Sequence, residues 1–193
     1  YIIKSLNGMA YGFFCSLIIG TIFKQIGNFA NISQLAAWGE VATYLMGPAI
    51  GAGIAYAIDA KGLNLIAAVI AGTIGAGTFN GNTATTGNPI AAFVAVIIAV
   101  EVTRLVQGKT PVDILLVPFT SIIVAGIVTI FIGPYITKLI VWIGDLINQG
   151  VNMQPFFMSI VVAVLMGMAL TAPISSAAIG VMLGLNGLAA GAA

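Results

Sequence analysis

The sequence contains no histidine, one cysteine and very little charge: six Lys and Arg against five Asp and Glu in 193 residues. Each shortage excludes something. Without histidine, and with its few carboxylates scattered, the chain can assemble neither a His-based nucleophile triad nor a transition-metal site. No catalytic residue, metal or cofactor is expected, and a membrane enzyme would lack acid and base groups. A single cysteine cannot close a disulfide within the chain. Cys15 stands in the apolar run Gly12-Phe-Phe-Cys-Ser-Leu and reads as a packing residue. No basic cluster is present, so nucleic acid is not an expected partner.

What replaces the charge is apolar surface. The chain is 60% hydrophobic and 6% charged, with a mean hydropathy of +1.14. Soluble domains carry roughly 25% charged residues. This composition belongs to an all-α integral membrane protein. The 24 glycines favour close helix packing within the bilayer.

Charges punctuate the spans. No charge occurs from Ser5 to Phe23, enough for one crossing. That run is too long for a signal-peptide core, and no cleavage site follows it. After the polar turn at 28–34, a second span is expected from Leu35 to Ile58. Its Gly47-Pro-Ala-Ile-Gly51-Ala-Gly53 block allows close backbone approach and a kink. Asp59-Ala-Lys61-Gly is a tight turn. A third span runs from Leu63 to Thr78. Pro89 opens a fourth, because its missing N–H costs nothing in a first helical turn, and this span ends near Val106. Gln107 to Asp113 is a polar loop, and a fifth span runs from Ile114 to Ile132, where Gly133-Pro134 breaks it.

In residues 135–149, Lys138, Trp142 and Asp145 share one helical face, which reads as an amphipathic interfacial helix, the alternative being a span with one polar face. Phe156 to Leu170 is a span running into the break Thr171-Ala-Pro173-Ile-Ser175-Ser176. A short apolar segment, Ala177 to Leu188, follows. The total is about 6–8 hydrophobic helices in a single transmembrane domain, residues 1–193. Its ends, Tyr1 and Gly191-Ala-Ala, suggest the N-terminal part of a longer protein.

Lys4, Lys61, Arg104 and Lys109 fall on one side of this topology, which the positive-inside rule makes cytoplasmic. Lys24 falls on the other side. A weak internal echo relates Leu45-Met-Gly-Pro48-Ala-Ile-Gly51 to Leu170-Thr-Ala-Pro173-Ile-Ser-Ser176. Paired interruptions of this kind mark binding sites in transporters.

The chemistry concentrates between Lys61 and Glu101, where no charge occurs. There the segment Phe79-Asn-Gly-Asn-Thr-Ala-Thr-Thr-Gly-Asn88 is rich in amides and hydroxyls. Asn80, Asn82, Thr83, Thr85, Thr86 and Asn88 offer donors and acceptors without charge, which suits a neutral polyol. In lipid, irregular backbone is tolerated where it is buried in protein or lines a wet cavity. A re-entrant loop is therefore expected here, the alternative being an ordinary extramembrane loop of similar composition. The Gly72, Gly75, Gly77 cluster is no nucleotide loop, since no Gly-Lys-Ser/Thr follows.

Four further residues are candidates. Glu40 is a substrate or proton group, or a structural carboxylate at the membrane edge marked by Trp38. Glu101 binds substrate or pairs with Arg104 one turn on. Ser175 and Ser176 line a cavity at the Pro173 break, or pack as small residues between helices.

Three blocks carry a family resemblance: Leu6-Asn-Gly-Met-Ala-Tyr-Gly-Phe-Phe with Ser16-Leu-Ile-Ile-Gly-Thr-Ile, then Leu45-Met-Gly-Pro-Ala-Ile-Gly-Ala-Gly, and Leu165-Met-Gly-Met with Pro173-Ile-Ser-Ser-Ala-Ala-Ile. In this order they resemble the EIIC-like membrane family of the phosphotransferase system, in the branch containing the perfringolysin O regulator. The resemblance implies a homodimer in the bacterial inner membrane. It implies the sugar-binding and translocating component of a phosphoenolpyruvate-dependent system, with the phosphoryl group donated by an EIIB protein or domain. Some sugar EIIC domains place a His and a Glu near substrate, and this chain has no His to match. The alternative function is a membrane sensor or regulator that binds a small solute without moving it. An ion channel would need charge rings or filter carbonyls, and the charge is missing.

Overall fold

The computed structural model describes residues 1–77, 79, 80, 83, 84, 87–109, 111–139, 142, 145, 156 and 160–164. The fold is all-α, as expected. Its first helical segment is one unbroken run of 28 residues, Ile2–Phe29. The run comprises α1 (Ile2–Phe13), a π-helical turn (Phe14–Ile18) and α2 (Ile19–Phe29). A short turn follows, in which Asn31 takes a positive φ of 53°.

The chain then returns beside itself as α3 (Ser33–Tyr44) and α4 (Met46–Ala57). The single span expected from Leu35 to Ile58 is therefore two helices, interrupted at Leu45 (φ −80°, ψ 10°). Pro48 supplies the cause. It has no N–H for the Tyr44 carbonyl, and its ring crowds that carbonyl.

Helix α5 (Leu63–Ala76) ends two residues before the expected Thr78, on a left-handed Gly77 with φ 65°. Glycine takes that conformation without steric cost. Helices α6 (Pro89–Val106) and α7 (Asp113–Phe131) match the expected fourth and fifth spans within a residue. Ile2–Phe29, α6 and α7 are long and apolar enough to cross a membrane, while α5 is a shorter apolar helix.

Small residues bring the helices together. A Cβ added at Gly12 would stand 2.2 Å from the Ala49 carbonyl oxygen, and one at Gly72 would stand 2.3 Å from that of Gly47. Such closeness is how helices associate where lipid offers no hydrophobic drive. α4 packs on α1 and α5, and α5, α6 and α7 pack on one another. Ser121 adds a hydroxyl bond to the Ala67 carbonyl, 3.1 Å. Cys15, read as a packing residue, is exposed.

Tertiary contacts divide the chain into two compact units, 1–133 and 134–193. In the second, residues 134–139 and 160–164 are helical where described, as are Trp142, Asp145 and Phe156. Most of the expected interfacial helix, the Pro173 break and the closing apolar segment lie outside the described residues.

Candidate functional site

The segment between α5 and α6 is held at its neck. The Asn88 backbone N–H donates to the Ala76 carbonyl, 2.8 Å. The Asn88 side-chain Oδ1 then caps α6, accepting from the N–H groups of Ile90 (3.0 Å) and Ala91 (3.1 Å). Asparagine is among the best residues at this position because it satisfies first-turn amides that have no helical partner. Between the two ends of the neck, β1 (Phe79–Asn80) pairs antiparallel with β2 (Thr83–Ala84), with Asn80 opposite Thr83. The backbone thus brings Asn80, Thr83 and Asn88 into one small pinned hairpin. Asn82, Thr85 and Thr86 belong to the same loop but lie outside the described residues, as do Ser175 and Ser176.

The depth of this neck follows from the helix contacts. Gly12 opposes Ala49 and Gly72 opposes Gly47, so Ala76 lies level with about residue 18 of the first helix. Lys24 is about 9 Å further along that helix, and Phe29 about 16 Å, at about 1.5 Å per residue. Lys4 and Lys24 are about 30 Å apart on the same scale, the thickness of a hydrocarbon core. This register sets the neck about 9 Å inside the level of Lys24.

That level carries its own polar cluster. Glu40 Oε1 accepts a hydrogen bond from the Tyr44 hydroxyl at 2.8 Å and faces Lys24 Nζ at 3.9 Å. Trp38, on the same helix, is 65% exposed. An exposed Trp beside a Lys–Glu pair suits a membrane boundary, and it sits at the end of the first unit opposite Lys4, Lys61, Arg104 and Lys109.

Glu101 lies at that basic end, far from the loop. Its Oε1 accepts from Arg104 Nη1 at 2.9 Å and from the Tyr1 hydroxyl. Arg104 Nη2 also donates to the Ile58 carbonyl, 2.5 Å, at the C-terminus of α4. A cation there meets the negative end of the helix dipole. Burial first, and then the Glu101 carboxylate, push the Tyr1 hydroxyl up to about 12, so it remains a donor at neutral pH. The geometry makes Glu101 part of a clasp joining the start of α1, the end of α4 and the end of α6.

One polar residue escaped the sequence reading. Asn64, in the first turn of α5, is 2% exposed. Its Nδ2 donates to Gln107 Oε1 at 2.5 Å, and its Oδ1 has no hydrogen-bond partner among the described residues. Exchanging O and N in both amides would keep the pair and still leave one Asn64 atom alone. The available signal was an amide one residue inside an expected span.

Apolar helices bolted at small residues, with an uncharged polar loop pinned between two of them, define an all-α membrane protein. The sequence pattern of the family described as Phosphotransferase system, EIIC matches residues 3–193, and the chain belongs to that family. It is a membrane transport component of a phosphotransferase system, whose context includes an EIIB partner. No curated protein and no solved structure matches the chain.

Proposed function

We propose that this EIIC chain binds a neutral or weakly anionic sugar on the loop 80–88 and carries it across the bacterial inner membrane, which it crosses several times as a homodimer. Asn80, Asn82, Thr83, Thr85 and Thr86 supply hydrogen bonds to sugar hydroxyls, and Asn88 holds the loop's neck as well as facing it. Ser175 and Ser176 are proposed as further hydroxyl groups for the same ligand. Glu40, at the boundary with Lys24, serves the approach to the site. Glu101 contributes through the clasp at the basic end, where an EIIB-type donor would phosphorylate the arriving sugar.

One observation carries this reading: the loop begins about 9 Å inside the boundary marked by Lys24 and Glu40, by the helix-rise estimate above. Irregular backbone at that depth needs protein or water around it, and its side chains are uncharged donors and acceptors. The test is uptake of a panel of labelled sugars by vesicles supplied with EIIB and a phosphoryl donor. The expected result is uptake and phosphorylation of one sugar class, reduced at least tenfold by Asn80→Ala together with Thr83→Val. Finding no sugar taken up would end this reading.

A further inference from the structure

Two facing helices are interrupted at one depth. Gly12 opposes Ala49, and a Cβ at Gly20 would meet the Gly39 carbonyl oxygen at 2.8 Å. Between those contacts, the π-helical turn Phe14–Ile18 faces the break at Leu45. A π turn carries one residue more than an α turn and weakens the hydrogen-bond ladder. At the Leu45 interruption the bonds from Leu45 N–H to the Val41 carbonyl (3.1 Å) and from Ala49 N–H to the Leu45 carbonyl (2.9 Å) persist, and the one bond missing is that to the Tyr44 carbonyl, because Pro48 has no N–H. Ser16, in the middle of the π turn, is buried and returns its hydroxyl to the Gly12 carbonyl at 2.6 Å. That bond occupies a carbonyl the disturbed ladder serves poorly.

Beyond this level the two helices form a separate arm. α2 and α3 pack closely on each other, and among the described residues they hardly touch α5, α6 or α7. The arm is bolted internally. A Cβ at Gly27 would stand 2.4 Å from the Ala36 nitrogen, and Lys24 and Glu40 pair across it. Its tip residue Phe29 is 88% exposed. Below the interruption, α1 and α4 are packed into the body of the unit. A stiff arm, a stiff body and two aligned weak points between them make a hinge.

We infer that α2 and α3 form one lever that swings about the level of Ser16 and Leu45, and that its swing opens and closes the approach to the neck formed by Ala76 and Asn88. The hinge stands on geometry alone; the gating role rests on the sugar-site reading above. α4 packs directly on α5, so an arm continuing α4 rises about 8–10 Å, one helix spacing, from the neck at Ala76 and Asn88. A lever about 20 Å long that changes its kink by about 20° moves its tip by about 7 Å.

The test uses the full chain in lipid nanodiscs with Cys15→Ala and spin labels at Phe29→Cys and Ile130→Cys. A second pair, Leu105→Cys and Ile130→Cys, reports the body alone. The expected result is a broad or two-peaked distance distribution for the arm pair and a narrow one for the body pair. Pro48→Ala returns an N–H donor to the Tyr44 carbonyl and should narrow the arm distribution to one peak. Deleting position 15 outright in place of Cys15→Ala, which removes the extra residue of the π turn, should do the same. If that deletion fails to fold, Pro48→Ala alone decides. An arm distribution as narrow as the body pair, or one unchanged by Pro48→Ala, overturns the hinge. These distances need no sugar, so they stand or fall apart from the site. If the swing is seen and Pro48→Ala leaves sugar uptake undiminished rather than several-fold lower, the gating role is overturned and the hinge remains.

Discussion

At the scale of residues, the polar groups separate by what already satisfies them. Asn88 is used twice at the neck, and Asn88→Ala removes the α6 cap. A lost Asn cap costs about 1 kcal/mol, which in a domain of this size lowers Tm by about 2–4 °C. Asn88→Asp keeps the acceptor and should unfold close to wild type in the same thermal scan. Asn64 poses the opposite case. Its interhelical bond is worth about 0.6 kcal/mol in a membrane protein, while an unpaired buried polar atom costs about 1–3 kcal/mol. The penalty is the larger, and Gln107 is exposed enough to be rewetted. Asn64→Leu should therefore hold or raise Tm, and a fall of several degrees would show that Asn64 is better paired than its geometry allows. Neither Asn64 nor the Tyr1–Glu101–Arg104 clasp was fully legible in the sequence. Arg104 was visible as a neighbour of Glu101 one turn on, but Tyr1 and Ile58 reach it only through the fold.

At the scale of elements, legibility followed local chemistry. Pro89 and the charges near Arg104 bounded α6 because both act on their own helix. The break at Leu45 was half visible: Pro48 announced a kink, and only the structure shows α3 and α4 as separate helices. The π turn had no local sign, since Phe14-Cys-Ser-Leu-Ile contains neither Pro nor Gly. Lys24 looked like an exception to the charge pattern because its partner Glu40 lies across a hairpin. Helix contacts give a further contrast. Gly72 touches the Gly47 carbonyl, whereas among the described residues a Cβ at Gly126 in α7 would meet nothing within 4 Å. Gly72→Val should separate α4 from α5 and cost several degrees of Tm or the folded yield. Gly126→Ala should be neutral or stabilise by up to about 1 kcal/mol through helix propensity. Thermal unfolding of the two variants side by side measures the difference, and equal effects would mean that these helix contacts do not set stability.

At the scale of the whole molecule, the membrane class was written in the composition and the family in the order of three short blocks. Depth was not. The loop 80–88 acquires a position only when Gly12, Gly72 and their partners tie its neck to a helix that measures the bilayer. The proposed sugar reading rests on the uncharged hydrogen-bonding residue types of 80–88, whose neck at Ala76 and Asn88 lies below the level of Lys24 and Glu40. The most direct measurement is protection of Thr83→Cys, in a Cys15→Ala chain, from a membrane-impermeant thiol reagent added on the outer side. The transported sugar should slow labelling at residue 83 several-fold while leaving Phe29→Cys unaffected. If the sugar is taken up and labelling at residue 83 proceeds at the same rate with and without it, the loop is not the sugar site.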